Sequence, residues 1–80
     1  MSIEDQIRSI IDDDMMTESD AMSIKDGDSL RSDHGMDSLG FVELRVQCEN
    51  TFGIRIGDDD FTPENFRSVG TIAELVRTRQ

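Results

Sequence analysis

The residues best suited to do chemistry are Asp37, Ser38 and Leu39, which stand where an irregular polar stretch gives way to an amphipathic one. If a helix begins here, its first turn presents unpaired backbone N–H groups and a partial positive charge. Both features favour a phosphate attached to a residue at that position. The simpler interpretation is that Asp37 or Ser38 only caps the helix, since both residue types are common caps. Local chemistry alone favours this simpler interpretation.

The single histidine, His34, lies four residues before Ser38. It is either a base or a contact for the serine site, or an exposed loop histidine. We favour the exposed loop histidine, because the sequence identifies no residue that would orient the ring. A serine-hydrolase elbow of the form G-x-S-x-G needs glycine at 36 and 40, and Met36 does not meet it. The sequence therefore predicts no catalytic residue.

Two runs of aspartate, at 12–14 and 58–60, raise the question of cation binding. An EF-hand loop needs acids at alternate positions, glycine at the sixth position and glutamate at the twelfth. A loop begun at Asp26 has Arg31 at its sixth position, and one begun at Asp58 has Pro63 there. Both patterns fail, so we interpret the acids as solvated faces or helix caps. No metal site is predicted, and a small metal-sensing protein is disfavoured.

Composition limits the class of protein. With 80 residues the chain is expected to form one domain over 1–80. Eighteen acids against eight bases give a net charge of −10, which repels nucleic acid and anionic membrane and favours basic protein partners. No apolar run approaches the ~20 residues that cross a bilayer, and the acidic N-terminus is unlike a secretory signal. We expect a soluble, cytoplasmic protein that is monomeric.

The single cysteine, Cys48, excludes an internal disulfide framework and a multi-cysteine zinc site. It falls on the apolar face of a predicted helix, so we expect a thiol buried in the core. The four phenylalanines and most methionines are likewise assigned to the core. Met36 is the exception, because its place beside Ser38 suggests a side chain exposed to partners.

Four segments show helical periodicity or capping signals. The first helix is predicted from Ile3 to near Met15 or Met16, with isoleucines at i, i+4, i+7 and i+8 on one face. Residues 17–37 show no period, and Ile24 and Leu30 are expected to pin this long loop to the core.

The second helix is predicted from Ser38 to Phe52, with Gly53 as its stop. Gly40, in its first turn, is expected to leave room for a neighbour. The apolar residues of this helix make a wide stripe, which predicts that it is the central helix of the fold. The stripe consists of one row of Leu39, Val42 and Val46 and a second row of Phe41, Leu44, Cys48 and Phe52.

The rest of the chain predicts an extended connector and two further helices. Ile54-Arg55-Ile56 should place two isoleucines in the core, and a short third helix is expected within 58–66, with Phe61 and Phe66 turned inward. Ser68 should cap a fourth helix. The predicted fold is all-α: a small four-helix bundle with three longer helices, a short third helix and a long first loop. Periodicity leaves the first two helices either parallel or antiparallel.

Taken together, Gly35-Met36-Asp37-Ser38-Leu39, Val42-Glu43-Leu44 and Phe52-Gly53-Ile54-Arg55-Ile56 resemble the acyl carrier protein family. The resemblance spans nearly the whole chain, including its size, its acidity and its long first loop. It implies a four-helix bundle whose serine, here Ser38, carries 4′-phosphopantetheine delivered from coenzyme A by a separate transferase. The thiol of this arm holds an acyl group as a thioester. A protein of this kind is a substrate of other enzymes and not itself an enzyme.

The resemblance also implies a docking surface on the second helix. It is formed by Asp37, Leu39, Val42, Glu43 and Val46, and we call it the docking face. The implied partners are a phosphopantetheinyl transferase and acyl-loading, ketosynthase, acyltransferase or condensation enzymes with basic docking patches.

The chain departs from the fatty-acid type of carrier in three places. The second helix offers only Glu43 and Glu49 with Arg45 between them, Gly57 stands where proline is common, and the segment 60–66 looks longer. These features resemble a stand-alone carrier of polyketide or lipopeptide assembly. Two alternatives stay open: a peptidyl or aminoacyl carrier of nonribosomal peptide-type assembly, and a non-carrier acidic module whose second helix binds a partner helix.

Overall fold

A computed structural model of the protein describes residues 2–14 and 23–80. These residues form three α-helices and no strand: α1 (Ile3–Asp14), α2 (Ser38–Phe52) and α3 (Val69–Arg79). The all-α class and the bounds predicted for α2 are confirmed, while the predicted end of the first helix near Met15 or Met16 lies outside the described residues. None of the helices in the described ranges is long and apolar enough to span a membrane.

Helix α1 packs against both other helices. Its isoleucine face is buried, with Ile7 and Ile11 fully enclosed, as the spacing predicts. The buried face of α3 meets it in the same apolar cluster. The prediction that α2 is the central helix is therefore wrong. A wide apolar stripe does not by itself show that every residue in it is buried. One row of the α2 stripe faces solvent.

The loop before α2 is held in place at two points of its described part, near Asp26 and at Leu30. Ile24 and Leu30 are buried as predicted. The Leu30 N–H donates to the Arg67 carbonyl at 2.9 Å, and the Gly70 N–H donates to the Asp26 carbonyl at 2.9 Å. A Cβ at Gly70 would lie 3.0 Å from that same Asp26 oxygen, so glycine permits the close approach. These contacts fix the loop against the start of α3.

Helix α1 also holds this loop through a charged side chain. The Arg8 guanidinium donates to the Ile24 carbonyl at 2.7 Å and pairs with both Asp5 and Asp26. The chain that leads to Ser38 is thus attached to two helices.

The predicted short third helix is wrong, because residues 58–60 and 63–66 form two separate turns. The Phe61 N–H donates to Gly57 at 3.1 Å, and the Phe66 N–H donates to Thr62 at 3.0 Å. Pro63, the first residue of the second turn, has no N–H with which to continue a helix from the first turn. The predicted four-helix bundle is therefore not confirmed, since the described residues contain three helices.

The two phenylalanines of this segment still turn inward as predicted. Phe66 is buried, and Phe61 packs against the core with its ring 4.9 Å from that of Phe66 in an edge-to-face arrangement. Two turns therefore bring both rings to the core without a helix.

The connector after α2 is held by polar residues of that helix. Ile56 is buried, and Ile54 is half-buried against the core, as predicted. The Ile56 N–H donates to the Glu49 carboxylate at 2.8 Å, and the Arg45 guanidinium donates to the Ile56 carbonyl at 2.7 Å. Arg45 also pairs with Asp58 at 3.0 Å. Two charged residues of α2, Arg45 and Glu49, thus stabilise the connector.

Candidate functional site

Ser38 is the first residue of α2, and its side chain is exposed. The helix is capped by Asp37, whose Oδ1 accepts the Gly40 N–H at 2.9 Å. The Ser38 hydroxyl makes no hydrogen bond to any residue in the described ranges. The capping role and the free hydroxyl therefore belong to two adjacent residues, and the serine is accessible to another protein.

Met36 lies beneath the first turn of α2 and is 2 % exposed. The expectation that it faces partners is wrong. A Cβ at Gly40 would lie 2.9 Å from the Met36 Cγ, so the absence of a side chain at Gly40 makes room for Met36. Glycine at position 40 thus lowers the helix propensity of the first turn, but it allows the Met36 side chain to pack in the core. Gly35, with φ at 72°, makes the turn that precedes it.

His34 is buried, at 7 % exposed, so the prediction of an exposed loop histidine is wrong. Its Nε2 lies 2.9 Å from a carboxylate oxygen of Asp28. Its Nδ1 is buried and has no hydrogen-bond partner in the part of the chain that the structure describes. The orienting partner escaped the sequence analysis because it lies six residues upstream in an irregular loop. The ring joins two parts of the loop and does not bond to Ser38.

The hydrogen bond from His34 and that from the Lys25 N–H lower the pKa of Asp28 from its ordinary value of 3.8. The ionised Asp28 carboxylate therefore stabilises the folded state above about pH 3.8. This contribution to stability is lost as the pH falls through the lowered pKa of Asp28. We expect Asp28→Asn to melt below the wild type at pH 6, and the gap to shrink below about pH 3.8. Thermal melting followed by circular dichroism across this range tests it.

Asp59→Asn is the control for this experiment, because Asp59 is exposed and has no ion pair with a described residue. We expect that variant to melt close to the wild type at pH 6. A gap between Asp28→Asn and the wild type that stays constant from pH 6 to pH 3 would contradict the role assigned to Asp28.

One apolar row of α2 faces solvent. Leu39 is 79 % exposed, Val42 50 % and Val46 42 %, whereas Leu44 and Cys48 in the other row are fully buried. These three residues are spaced three and four apart, so they lie on one face of the helix, and exposed apolar patches are typical of interaction sites. Asp37 and Glu43 are also exposed, so all five residues of the docking face are accessible.

A groove of about 580 Å³ opens beside Ser38. Its size is that of a small-molecule site. The sequence analysis gave no sign of it, because the groove brings together three segments that are distant in the chain. Apolar walls come from Phe41, Val42, Phe61, Pro63 and Phe66, and polar groups come from Ser29, Arg31, Ser32, Thr62, Glu64 and Arg67.

The aspartate run at 58–60 takes part in ion pairs. Asp58 pairs with Arg45, and Asp60 pairs with Arg79, which lowers the pKa of Asp60. The run at 12–14 ends α1, and the side chains of its last two members lie outside the described part of the chain. Within the described residues no three potential ligands gather into a metal site.

A family model described as the phosphopantetheine attachment site matches residues 5–77, nearly the whole chain. The chain belongs to the acyl carrier protein family. It is therefore a carrier with covalently bound phosphopantetheine, and not an enzyme. Partner enzymes such as a phosphopantetheinyl transferase follow from that membership. The resemblance predicted from the sequence is confirmed.

Individual relatives carry different cargoes by name. This carrier is 31 % identical to the acyl carrier protein of Chlamydia muridarum over 100 % of this chain and 99 % of that one. It is 38 % identical to the D-alanyl carrier protein of Streptococcus uberis over 100 % of this chain and 98 % of that one. It is 39 % identical to aminoacyl carrier protein 2 of Bradyrhizobium diazoefficiens over 55 % of this chain and 49 % of that one. These relatives therefore do not determine the cargo of this carrier.

Proposed function

We propose that this carrier holds acyl intermediates as thioesters on a phosphopantetheine arm attached to Ser38, for enzymes of fatty-acid, polyketide or lipopeptide-type biosynthesis. The observation that supports Ser38 most strongly is its exposed, unbonded hydroxyl at the first position of α2. No base is needed in this chain, because the transferase supplies the base and the metal. The Ser38 oxygen attacks the phosphorus of coenzyme A that bears the pantetheine and becomes an ester oxygen of the new phosphodiester. The pyrophosphate bond breaks, adenosine 3′,5′-bisphosphate leaves, and the hydroxyl proton passes to the base of the transferase.

The backbone around Ser38 suits the phosphate of the arm. The Gly40 N–H is taken by Asp37, and the Phe41 N–H donates to the Asp37 carbonyl at 3.1 Å. The N–H groups of Ser38 and Leu39 donate to no described residue. Two free donors at a helix N-terminus stabilise an anion attached to the same residue.

The groove favours an acyl cargo. Its apolar walls, which include Phe41, Val42 and Phe61, suit the methylene groups of an acyl chain. Tethering raises the local concentration of the cargo at each partner's active site. The thiol of the arm has a reference pKa of ~8.5, so partners must generate its thiolate.

We propose that the docking face meets the transferase and the acyl-loading, ketosynthase, acyltransferase or condensation enzymes. Leu39, at its end next to Ser38, is the most exposed large apolar residue among those that the structure describes. Asp37 and Glu43 supply exposed negative charge for basic patches on the partners. Glu49 and Arg45 are occupied with the connector, so apolar contact is expected to carry more of the affinity here than in strongly acidic carriers.

An aminoacyl or peptidyl cargo is the second candidate, and the D-alanyl and aminoacyl relatives support it. We also propose that the two turns within 57–66 take the place of the short third helix of the family's four-helix bundle. The inward Phe61 and Phe66 support that assignment. A single domain, a cytoplasmic location and a monomeric state stay predictions.

Incubation with coenzyme A and a broad-specificity transferase tests the proposal. Intact-mass analysis is expected to show a gain of one phosphopantetheine. The holo protein is then offered to an acyl-loading enzyme and to an amino-acid-activating enzyme, and a thioester is expected only with the first. No mass gain with several transferases would contradict the attachment, and loading by the second enzyme alone would favour the aminoacyl carrier.

Cys48 is expected to stay unreactive while the arm thiol reacts. It is fully buried, and burial raises the pKa of its thiol to about 12, so almost none of the reactive thiolate forms near neutral pH. Native holo protein treated with iodoacetamide at pH 8 should gain one adduct, on the arm, and unfolded protein should gain two. Cys48→Ala is the control and should gain one adduct in both states. Two adducts on the native wild type would show that Cys48 is accessible.

A further inference from the structure

Two arginines without an ion pair lie at the groove beside Ser38. Arg31 and Arg67 line it together with Ser38, both are exposed, and neither pairs with a carboxylate in residues 2–14 and 23–80. This is unusual in a chain with eighteen acids and eight bases. The two guanidinium groups are therefore available to an anion that comes to this groove. Most of the other arginines are paired with described carboxylates, namely Arg8, Arg45, Arg77 and Arg79.

The fold fixes both arginines at the groove that Ser38 lines. The Arg67 carbonyl accepts the N–H of Leu30, the neighbour of Arg31, at 2.9 Å. Arg67 also directly precedes Ser68, the N-cap of α3. The backbones of the two arginines are therefore held by the contact between the loop and the start of α3. Since neither guanidinium pairs with a described carboxylate, binding an anion would break no ion pair of the described fold.

The charges around Ser38 disfavour a phosphate there unless a cation offsets them. A phosphodiester carries one negative charge at neutral pH, and the protein already carries −10. The exposed Asp37 is adjacent to Ser38 in the chain, and Glu64 lines the same groove. The unbonded N–H groups of the first turn of α2 offer only the partial positive charge of a helix N-terminus. Among the described residues that line the groove, full positive charge comes from Arg31 and Arg67 alone.

The chemistry of arginine suits this anion. A guanidinium is planar and binds a phosphate through two parallel hydrogen bonds to two of its oxygens. A phosphodiester has two non-bridging oxygens, which are the pair that such a fork contacts. The apolar walls of the groove, among them Phe41 and Phe61, lower the local dielectric constant and so strengthen the attraction between the charges.

We propose that Arg31 and Arg67 form a binding site for the phosphate of the arm attached to Ser38. The proposal rests on the attachment of the arm at Ser38, and it goes beyond that attachment by assigning two residues outside the 35–39 motif to the phosphate. Their guanidinium groups offset the negative charge that the modification adds, and they draw the first segment of the arm toward the loop and the start of α3. Glu64 opposes the phosphate and weakens this contact.

The first test compares the apo and holo proteins by NMR, after intact mass has confirmed complete modification. We expect the side-chain Nε–H signals of Arg31 and Arg67 to shift on modification. The signal of Arg55, an exposed arginine that lines a different groove, should stay in place. The phosphorus signal of the holo protein should differ between the wild type and Arg31→Gln/Arg67→Gln, but not between the wild type and Arg55→Gln. Because a phosphodiester does not titrate near neutral pH, such a difference reports contact and not protonation.

Thermal melting measures the effect of the contact on stability. For each protein the melting temperature of the apo form is subtracted from that of the holo form, so that the effect of the substitution on the apo protein cancels. We expect this difference to be about 4 °C more positive in the wild type than in the double variant, a shift of the size that one net interaction gives in a domain this small. It should shrink in about 1 M sodium chloride, where the screening length falls to about 3 Å.

Two single variants complete the melting experiment. Glu64→Gln should make the difference between holo and apo melting temperatures more positive, and Arg55→Gln should leave it unchanged. Since Arg31 and Arg67 make no ion pair with a described residue, the double variant is expected to fold, and its apo melting curve checks this.

Other outcomes overturn the inference, and one of them overturns the attachment as well. Unchanged arginine and phosphorus signals in the fully modified protein would refute the phosphate site and leave the attachment at Ser38 standing. The same holds if the wild type and the double variant show equal differences between holo and apo melting temperatures. If the signals do not change and the double variant is only modified more slowly, the arginines contact an acidic surface of the transferase, and the phosphate assignment is wrong. Failure of the modification itself would contradict the attachment at Ser38 and the inference together.

Discussion

Replacing Ser38 by alanine is expected to abolish attachment of phosphopantetheine and to leave the fold intact. The hydroxyl is exposed and bonds to no described residue, and Asp37 provides the cap of α2. Surface substitutions of this kind change the free energy of unfolding by no more than about 0.5 kcal/mol. Intact mass after incubation with transferase and coenzyme A measures the first effect, and thermal melting measures the second.

Two variants distinguish the role of the Ser38 hydroxyl from the roles of neighbouring residues. Ser32→Ala removes an exposed serine of the same groove and should be modified like the wild type. Asp37→Ala removes the cap, which costs about 1 kcal/mol, but keeps the Ser38 hydroxyl, so its modification should persist at a lower rate. A Ser38→Ala protein that still gained the arm would place the attachment elsewhere.

Replacing Leu44 by alanine is expected to destabilise the fold strongly. Leu44 is fully buried, and replacing a buried leucine by alanine costs about 2–5 kcal/mol in lost burial and cavity formation. In a domain of this size each kcal/mol lowers the melting temperature by about 4–8 °C, so we expect a fall of roughly 10 °C or more. Thermal and urea unfolding of the apo protein measure it.

Leu39→Ala is the matched control, because it makes the same chemical change on the same helix at a residue that is 79 % exposed. Its free energy of unfolding should stay within about 0.5 kcal/mol of the wild type, while the transferase should modify it more slowly. Equal destabilisation by both variants would contradict the division of α2 into a buried row and an exposed docking face.

Helix bounds were predictable where the sequence carries local stop and start signals. Gly53 adopts the left-handed conformation that ends α2, and Ser68 caps α3 through Thr71. Periodicity identified the apolar rows but not which of them is buried, since burial depends on where α1 packs. The third helix was wrongly predicted because a capping residue followed by proline also occurs where one turn ends and another begins.

The position of Ser38 at the start of α2 was predictable from the sequence, but the packing around it was less so. His34 and Met36 were wrongly placed because their partners, Asp28 and Gly40, are fixed by tertiary packing and not by any periodic pattern. The groove could not be predicted at all, since its walls come from the loop, α2 and the two turns. Ser38 stays the predicted attachment residue because the residues around it resemble a family motif, whereas capping rules alone favour a simple helix cap.

The most direct test is the mass of the protein purified from the organism that makes it, followed by peptide mapping. We predict one phosphopantetheine on the peptide that contains Ser38, with an acyl group that hydroxylamine releases, as expected for a thioester. Native protein with an unmodified Ser38 throughout, or with the arm on another residue, would contradict the account.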